Sequence, residues 1–228
     1  PENTFVYTLG WEKAPEVYVS AAWATKAYGE TVTPVYPAAG ASSATIGYDA
    51  FGNIQDALAA VAAGTMGDPN VVYIDAGTYA GSASNVLATD NVTVKLNDGV
   101  TIANTAGSCF EVNADYIIIE AATNLGAVCQ VASAATGITV AAGVNELRII
   151  GLEFTGGAEG IRFLGGISNL LIVDNWFHAL SGDAIVFTAQ PTGQVSIQGN
   201  FFQQNGGFGI NAGSFTIPAE YNSWGNLA

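Results

Sequence analysis

Two aspartates and a histidine are the side chains of this sequence whose types and spacing could carry out acid–base chemistry. Asp174 and Asp183 lie close together in the chain, and hydrolysis of a glycosidic bond uses two carboxyl groups that flank the substrate. His178, the single histidine, lies between them and is a possible general base near neutral pH. Because Asp174 aligns with Gly151 and Gly199 of the neighbouring repeats, we interpret it as a turn residue, and we expect His178 to be a surface or corner residue.

Carboxylates in predicted loops are the second set of candidates. Calcium takes oxygen ligands from several carboxylates at once, although solvated loop acids are the simpler interpretation. The four weak calcium candidates are Asp68, Asp75, Asp90 and Asp98. The sequence contains no zinc-ligand spacing, no glycine-rich nucleotide loop and no Gly-Gly-x-Gly-x-Asp calcium motif. We therefore predict no bound cofactor, with Ca²⁺ as the open alternative.

The elements that would position these residues form a repeat. Short apolar, β-branched strands alternate with turns rich in Gly, Asn, Asp and Ser. A period of about 24 residues is typical of a solenoid in which each unit buries its inner face against the next. The residues that mark the period are Phe154, Phe177 and Phe202 in one strand and Ile161, Ile185 and Ile210 in the next. The predicted fold is therefore all-β, a parallel β-helix of about seven coils.

One helix is predicted ahead of the coils, from Asn53 to Ala63. Asn53 can serve as its N-cap, an apolar stripe runs from Ile54 to Val61, and Gly64 ends it. Such a helix would cap the first coil, whose interior would otherwise face water. The predicted domains are the β-helix, residues 49–228, with a capping helix at about 53–63, and an N-terminal extension, residues 1–48, whose short strands pack on or between solenoids.

Composition restricts the partners. The formal charge is −14, with 19 acidic and 5 basic residues. Phosphate contacts require a basic face, so this charge argues against nucleic acids and anionic membranes. No apolar run is long enough to span a bilayer. The chain begins at Pro1 rather than Met and is poor in Lys, from which we expect a processed, exported protein located outside the cell or at its surface.

Cys109 and Cys129 are too few for a disulfide framework. Aligning Val112 with Val131 would point the two thiols to different faces. We therefore favour a pair of small buried residues, with a disulfide as the alternative.

Two stretches resemble a known group. Phe51-Gly-Asn-Ile-Gln-Asp-Ala-Leu58 and Val72-Tyr-Ile-Asp-Ala-Gly-Thr-Tyr79 resemble the helix and first coil of pectate-lyase-like right-handed parallel β-helix proteins. Asp174-Asn-Trp-Phe177, Gly199-Asn-Phe-Phe202 and Tyr221-Asn-Ser-Trp-Gly225 resemble repeats of large bacterial surface proteins of that superfamily. The resemblance covers roughly residues 49–225. It implies a fold and no single activity, because lyases, hydrolases, esterases, adhesins and phage spikes share it.

The resemblance also suggests catalytic groups to look for. Pectate lyases hold calcium with clustered acids and use an arginine as the base, which makes Arg162 a weak catalytic candidate beside Asp174 and Asp183. Glu153 and Glu159 near Arg162 favour a surface ion pair instead. The Gly-His-Gly motif of the hydrolases and the Arg-Pro-Trp segment of the methylesterases are both absent from this sequence.

Several surfaces predict self-association. Leu171 and Val173 would point outward beside Ile150 of the preceding coil, forming an apolar strip that we expect strands within residues 1–20 to cover, from the same chain or a neighbour. Few residues follow Trp224, so an uncapped last coil would favour end-to-end contacts. The residues predicted to mediate self-association are Phe5, Val6, Tyr7, Leu171, Val173, Trp224 and Leu227.

The sequence therefore predicts a non-catalytic extracellular structural protein, a self-assembling subunit of a bacterial surface filament, layer or adhesin stalk. Its partner would be a second copy of itself. The alternative is a carbohydrate-active β-helix, either a polysaccharide lyase or hydrolase or a sugar-binding module. Aromatic residues at the corners could stack on sugar rings, but their spacing by one coil favours an internal ladder in which they stack on one another. These residues are Trp176, Phe177, Phe201, Phe202 and Trp224.

Overall fold

The strands of the repeat stack in register, each on the equivalent strand of the coil before it. In the computed structural model, which describes residues 12–36, 43–132 and 134–225, parallel strands form sheets of nine, seven and six strands that wind together as a β-solenoid. Each complete coil adds one strand to each sheet. The predicted parallel β-helix is confirmed, with six complete coils and two strands of a seventh rather than about seven full coils.

Short elements precede the coils. They are β1 (Glu16–Val19), a 3-10 helix (Ala21–Trp23), β2 (Thr31–Val32), β3 (Ala44–Thr45), β4 (Ala50–Phe51) and α1 (Ile54–Ala60). The Asn53 side chain accepts a hydrogen bond from the backbone N–H of Asp56, which confirms the predicted N-cap. The helix ends at Ala60 rather than at the predicted Ala63, because Val61 has an extended backbone and bridges to Ala14.

The coils are numbered from the first strand of the repeat, and the sheets are called first, second and third in the order in which a coil enters them. The complete coils are coil 1 with β5 (Asn70–Ile74), β6 (Gly77–Gly81) and β7 (Asn85–Leu87); coil 2 with β8 (Val92–Leu96), β9 (Val100–Asn104) and β10 (Phe110–Val112); coil 3 with β11 (Ile117–Ala121), β12 (Ala127–Val131) and β13 (Thr136–Val140); coil 4 with β14 (Asn145–Ile150), β15 (Leu152–Thr155) and β16 (Glu159–Phe163); coil 5 with β17 (Ser168–Val173), β18 (Trp176–His178) and β19 (Ile185–Phe187); and coil 6 with β20 (Thr192–Gln198), β21 (Phe201–Gln203) and β22 (Ile210–Asn211). Coil 7 begins with β23 (Ala219–Glu220) and β24 (Ser223–Trp224).

The start of coil 1 is covered by the elements before it. β1 pairs in parallel with β5, and β4 pairs in parallel with β1, so the first sheet extends by two strands before coil 1. α1 packs on β7, and its buried face consists of Ile54, Ala57 and Leu58. The Gln55 side chain accepts a hydrogen bond from the backbone N–H of Val86, a donor on the edge strand β7, at 2.6 Å. The helix therefore occupies the predicted capping position.

Aromatic rings form a column through the interior of the later coils. Phe154 and Phe177 stack with ring centroids 4.7 Å apart, and Phe177 and Phe202 stack at 5.2 Å. Trp224 continues the stack on Phe202 at 4.7 Å. These four residues, which we call the aromatic column, occupy equivalent positions in the second sheet. The predicted ladder is confirmed for them.

Glycines face the aromatic column from the third sheet. A Cβ atom on Gly137 would lie 2.8 Å from Cδ1 of Phe154, and one on Gly160 would lie 2.5 Å from Cδ1 of Phe177. Each glycine therefore leaves room for the aromatic ring of the following coil. Gly209 stands in the same relation to Trp224, whereas Ala184 occupies the equivalent position in coil 5. We call the three glycines the glycine column.

The two cysteines extend both columns toward coil 2. Cys129 lies in register with Phe154, and Cys109 precedes the strand that pairs with β13, at the position equivalent to Gly137. The two residues are buried and joined by a disulfide, with Cα atoms 5.9 Å apart. The preference for two separate thiols was wrong, because β10 and β12 belong to different sheets and the assumed alignment of their valines does not exist.

Buried asparagines hold the corner between the first and second sheets. The Asn175 side-chain oxygen accepts a hydrogen bond from the backbone N–H of Leu152 at 2.9 Å. Its amide nitrogen donates to the carbonyl oxygens of Ile149 and Val173 at 3.0 and 2.9 Å. This corner therefore satisfies backbone groups near the ends of β14, β15 and β17, where the chain passes from the first sheet to the second.

Candidate functional site

Asp174 is an exposed corner residue. It lies between β17 and β18 with φ of +56°, a left-handed backbone that Asp tolerates better than most residues. Gly151 and Gly199, its equivalents in the neighbouring coils, have φ of +71° and +67°. The interpretation of Asp174 as a turn residue is confirmed.

Asp183 ties two coils together. It lies between β18 and β19, at a different corner from Asp174. One carboxylate oxygen accepts from the backbone N–H of Phe208 and the other from the side-chain amide of Asn211, both at 2.6 Å. Both hydrogen-bond donors belong to the following coil. The structure thus does not assemble Asp174 and Asp183 as an acid–base pair, and it uses Asp183 to join coils 5 and 6.

Arg162 forms an ion pair on the outside of the third sheet. Its Nε donates to the Glu159 carboxylate at 2.6 Å, and its terminal nitrogen donates to the other oxygen of that carboxylate. The hydrogen bonding by Glu159 raises the pKa of Arg162, whereas a catalytic arginine base would need a lowered one. The predicted ion pair is confirmed for Glu159 and wrong for Glu153, which has another partner.

That partner is His178, and sequence reasoning missed the contact. The His178 Nε2 lies 2.8 Å from Oε1 of Glu153, and the imidazole stacks on the Trp176 indole at 3.9 Å. Because Glu153 pairs in register with Trp176, Glu153 and His178 are diagonal neighbours on the outer face of the second sheet. The contact could have been found from the sequence by taking the residue one coil after Glu153, which is Trp176, and moving two residues further to His178. A carboxylate-oriented imidazole is one component of an acid–base site.

The four calcium candidates are dispersed over the early coils. Asp75 accepts from the Tyr36 N–H at 2.8 Å, Asp90 from the Asp115 N–H at 2.9 Å and Asp98 from the Thr123 hydroxyl at 2.6 Å, while Asp68 lies in an exposed turn. In the described part of the chain no three His, Cys, Asp or Glu side chains lie close enough to hold a metal ion. The arrangement thus uses three of these carboxylates to order loops.

An open groove follows the outer face of the first sheet. Arg148, Leu171 and Ser196 lie in register there, and Arg148 pairs with Glu146 at 2.7 Å. The groove has a volume of about 560 Å³ and is lined by Glu146, Leu147, Arg148, Asn169, Leu170, Leu171, Gln194, Val195 and Ser196.

The predicted apolar strip lies along this face. Leu171, Val173 and Ile150 are half-buried at outward positions. β1 does not cover them, because it lies within the first sheet beside β5. The expectation that the strands of residues 1–20 lie over the strip is therefore wrong for β1. Phe5, Val6 and Tyr7 lie outside the described residues.

A second groove opens on the last described coil. It measures about 450 Å³, and its apolar lining consists of Phe202, Phe208, Ile210 and Trp224. Phe208 is 69% exposed and Trp224 58%, whereas Phe202 beneath them is buried. Trp224 is thus exposed at this groove, and its role in self-association stays a prediction. Leu227 lies outside the described residues.

The remaining corner aromatics face outward. Trp176 and Phe201 lie in register on the outside of the second sheet, with ring centroids 6.3 Å apart. They stack on each other as the internal rings do, so the prediction of an internal ladder is wrong for these two.

No protein-family model, curated protein or solved structure matches this chain. The resemblance to pectate-lyase-like proteins therefore stays a prediction. None of the helices in the described ranges is long and apolar enough to cross a membrane.

Proposed function

We propose that the chain is a non-catalytic structural protein, a β-solenoid column that serves as a self-assembling subunit of an extracellular bacterial filament, layer or adhesin stalk. The observation that carries the proposal is the use of candidate catalytic groups as ties within the column. Asp183 bonds one coil to the next, Glu159 neutralises Arg162, and Glu153 engages His178.

The interior supports a mechanical role. The aromatic column and the buried asparagines repeat the same contacts from one later coil to the next, so a load on one of these coils passes to its neighbours through close-packed side chains. The disulfide between Cys109 and Cys129 supports a location outside the cell, because such bonds persist in oxidising compartments.

Two measurements test the proposal together: cleavage of polysaccharides by the purified chain and its assembly into particles. The purified chain is incubated with neutral and uronic-acid polysaccharides, with Ca²⁺ or a chelator, and new reducing ends and unsaturated products are measured. We expect no cleavage by the wild type or by a D174N/D183N/R162Q variant, and ordered particles in electron microscopy. Cleavage by the wild type would reject the non-catalytic role: its loss in the folded variant would assign it to the three substituted residues, and its retention would point to Glu153 and His178.

The groove on the first sheet favours a second candidate, a carbohydrate-active or sugar-binding β-helix. Arg148, Gln194 and Ser196 offer polar groups along an open face, and Trp176 offers a half-exposed ring on the next sheet. In this case oligosaccharides would bind with micromolar to millimolar affinity in calorimetry. Arg148→Ala would weaken binding in the groove, whereas Lys26→Ala, which also removes an exposed ion-paired cation, would leave it unchanged.

A further inference from the structure

A third groove opens near the start of the column, between the 3-10 helix, the first turn of α1 and the strands β6 and β7. It has a volume of about 360 Å³, which is within the range of small-molecule sites. Alanine and glycine make up much of its lining, and no charged side chain of the described residues lines it. Ala80 leaves this space open, because the same register position carries larger side chains in the later coils. They are Gln130, Thr155, His178 and Gln203.

A buried asparagine directs its oxygen into this groove. Asn104 is 4% exposed, and its amide nitrogen donates to the carbonyl oxygens of Ala83 and Ser108 at 3.0 and 2.6 Å. These two bonds fix the orientation of the amide, and the side-chain oxygen accepts no hydrogen bond within the described residues. A Cβ atom on Gly81, which also lines the groove, would lie 2.9 Å from this oxygen. The groove therefore contains an acceptor without a donor, which is rare for a buried side chain.

Two further side chains offer oxygen acceptors here. The amide nitrogen of Asn85 donates to the Cys109 carbonyl oxygen at 2.8 Å, which leaves the Asn85 side-chain oxygen for the groove. The hydroxyl of Thr78, an exposed residue of β6, is the third oxygen.

Several hydrogen-bond donors at the groove are engaged elsewhere. The Asn53 amide nitrogen donates to the Asp56 carboxylate at 2.6 Å, and the Tyr79 hydroxyl donates to the Asp75 carbonyl oxygen at 2.8 Å. A primary ammonium group has three donors and no acceptor, so it matches a set of side-chain oxygens. The formal charge of −14 also attracts small cations to the chain.

We propose that this groove, which we call the Asn104 groove, binds a small organic cation through its primary ammonium group. The ammonium donates to the side-chain oxygens of Thr78, Asn85 and Asn104. The alkyl part of the ligand packs on the methyl groups of Ala21 and Ala80. This binding activity goes beyond the proposed structural role and does not depend on self-assembly.

Titration with α,ω-diaminopentane tests the inference, followed by two-dimensional NMR at the Asn104 side-chain amide and the Ala80 backbone amide. Two analogues of the same length separate the ligand classes. The fully N-methylated diamine keeps the charge and lacks N–H donors, whereas α,ω-pentanediol keeps hydroxyl donors and lacks the charge. We expect saturable shifts at these two amides with the diamine alone.

Three variants locate the site. Thr78→Val removes one acceptor oxygen at an exposed residue, and Ala80→Leu fills the groove. Thr101→Val makes the same change as Thr78→Val in the next coil, at the position in register and outside the groove lining. We expect the first two variants to raise the dissociation constant about tenfold, and Thr101→Val to leave it unchanged. Circular dichroism spectra should match that of the wild type in all three.

Four results would overturn the inference. The first is the absence of saturable shifts with the diamine. Equal shifts with the methylated analogue would show attraction by charge alone, and equal shifts with the diol would show a neutral ligand. Equal weakening by Thr101→Val and Thr78→Val would place the binding outside the Asn104 groove. Polysaccharide cleavage and particle assembly are measured independently, so failure of the proposed structural role would be distinguishable from failure of this site.

Discussion

Asn200 lies directly above Asn175, and its side-chain oxygen accepts hydrogen bonds from both the backbone N–H and the amide nitrogen of Asn175, each at 3.0 Å. Asn222 repeats this arrangement above Asn200 at 2.9 and 3.0 Å. Asn175 and Asn200 are each 1% exposed. These amides join coils 5, 6 and 7 at a corner where the strand ladders are interrupted.

Asn175→Ala should be among the most damaging polar substitutions. It leaves the Leu152 N–H and the Ile149 carbonyl without their partner in a buried corner, and each buried unsatisfied group costs about 1–3 kcal/mol. We expect the free energy of unfolding to fall by about 3 kcal/mol in urea denaturation with an unchanged m-value. Asn113→Ala, at an exposed asparagine, should change it by less than about 0.5 kcal/mol. Equal effects of the two variants would contradict the role of the corner.

Removing the disulfide should destabilise the column without changing its shape. Cys109 and Cys129 lie 20 residues apart, and a cross-link of about that loop length stabilises by about 3 kcal/mol. The double Cys→Ala variant should lose about that much, and adding a reductant during unfolding should destabilise the wild type alone. A wild-type mass that shows two free thiols under non-reducing conditions would refute the bond.

The glycine column predicts a steric penalty. Gly160→Ala would place a Cβ atom 2.5 Å from Cδ1 of Phe177 and 2.7 Å from the carbonyl oxygen of Ala184. The ring must shift within a packed core, which costs about 1–3 kcal/mol. Gly67→Ala is the matched control, because a Cβ atom there meets nothing within 4 Å. The thermal unfolding midpoint should fall for Gly160→Ala and stay unchanged for Gly67→Ala. A larger fall for Gly67→Ala would contradict the close packing of Gly160 against Phe177.

Asp75 should make the folded protein less stable as the pH rises from acidic to neutral, the opposite of an ion-paired carboxylate. Burial raises the pKa of its carboxyl above the ordinary 3.8, opposed by hydrogen bonds from the Tyr36 and Val35 N–H groups and Ser20. The folded state then holds the proton more tightly than the unfolded chain does. This group therefore favours folding below the ordinary pKa and loses that contribution as the pH rises through the raised pKa.

Two substitutions separate these effects. Asp75→Asn keeps an acceptor for Tyr36 without the charge, so its unfolding free energy relative to wild type should increase from acidic to neutral pH. Asp75→Ala removes the acceptor and should lose about 1–3 kcal/mol. Urea denaturation at several pH values measures both. A difference between Asp75→Asn and wild type that is independent of pH would contradict the raised pKa.

Sequence periodicity predicted the parts of the structure that repeat along the column. The phenylalanines of the aromatic column recur once per coil because each must cover the ring before it. Asn53 was recognisable as a cap because capping is a local contact.

Contacts between non-equivalent positions of the repeat were not predicted. The bond between Cys109 and Cys129 joins two sheets, so it cannot be found without assigning each strand to its sheet. The contact between Glu153 and His178 depends on the diagonal of the register, which the repeat spacing alone does not show. The glycines of the glycine column are also ordinary turn residues by composition, and their packing role follows from the rings opposite.

The one-residue-per-coil arrangement of the aromatic column has a consequence for how such a gene changes. Duplicating one repeat that carries a stacked phenylalanine keeps the ring stack continuous and increases the height by a single strand spacing, about 4.8 Å. Gain or loss of repeats can therefore change the length of the column in equal steps while the ring stack in its interior is kept.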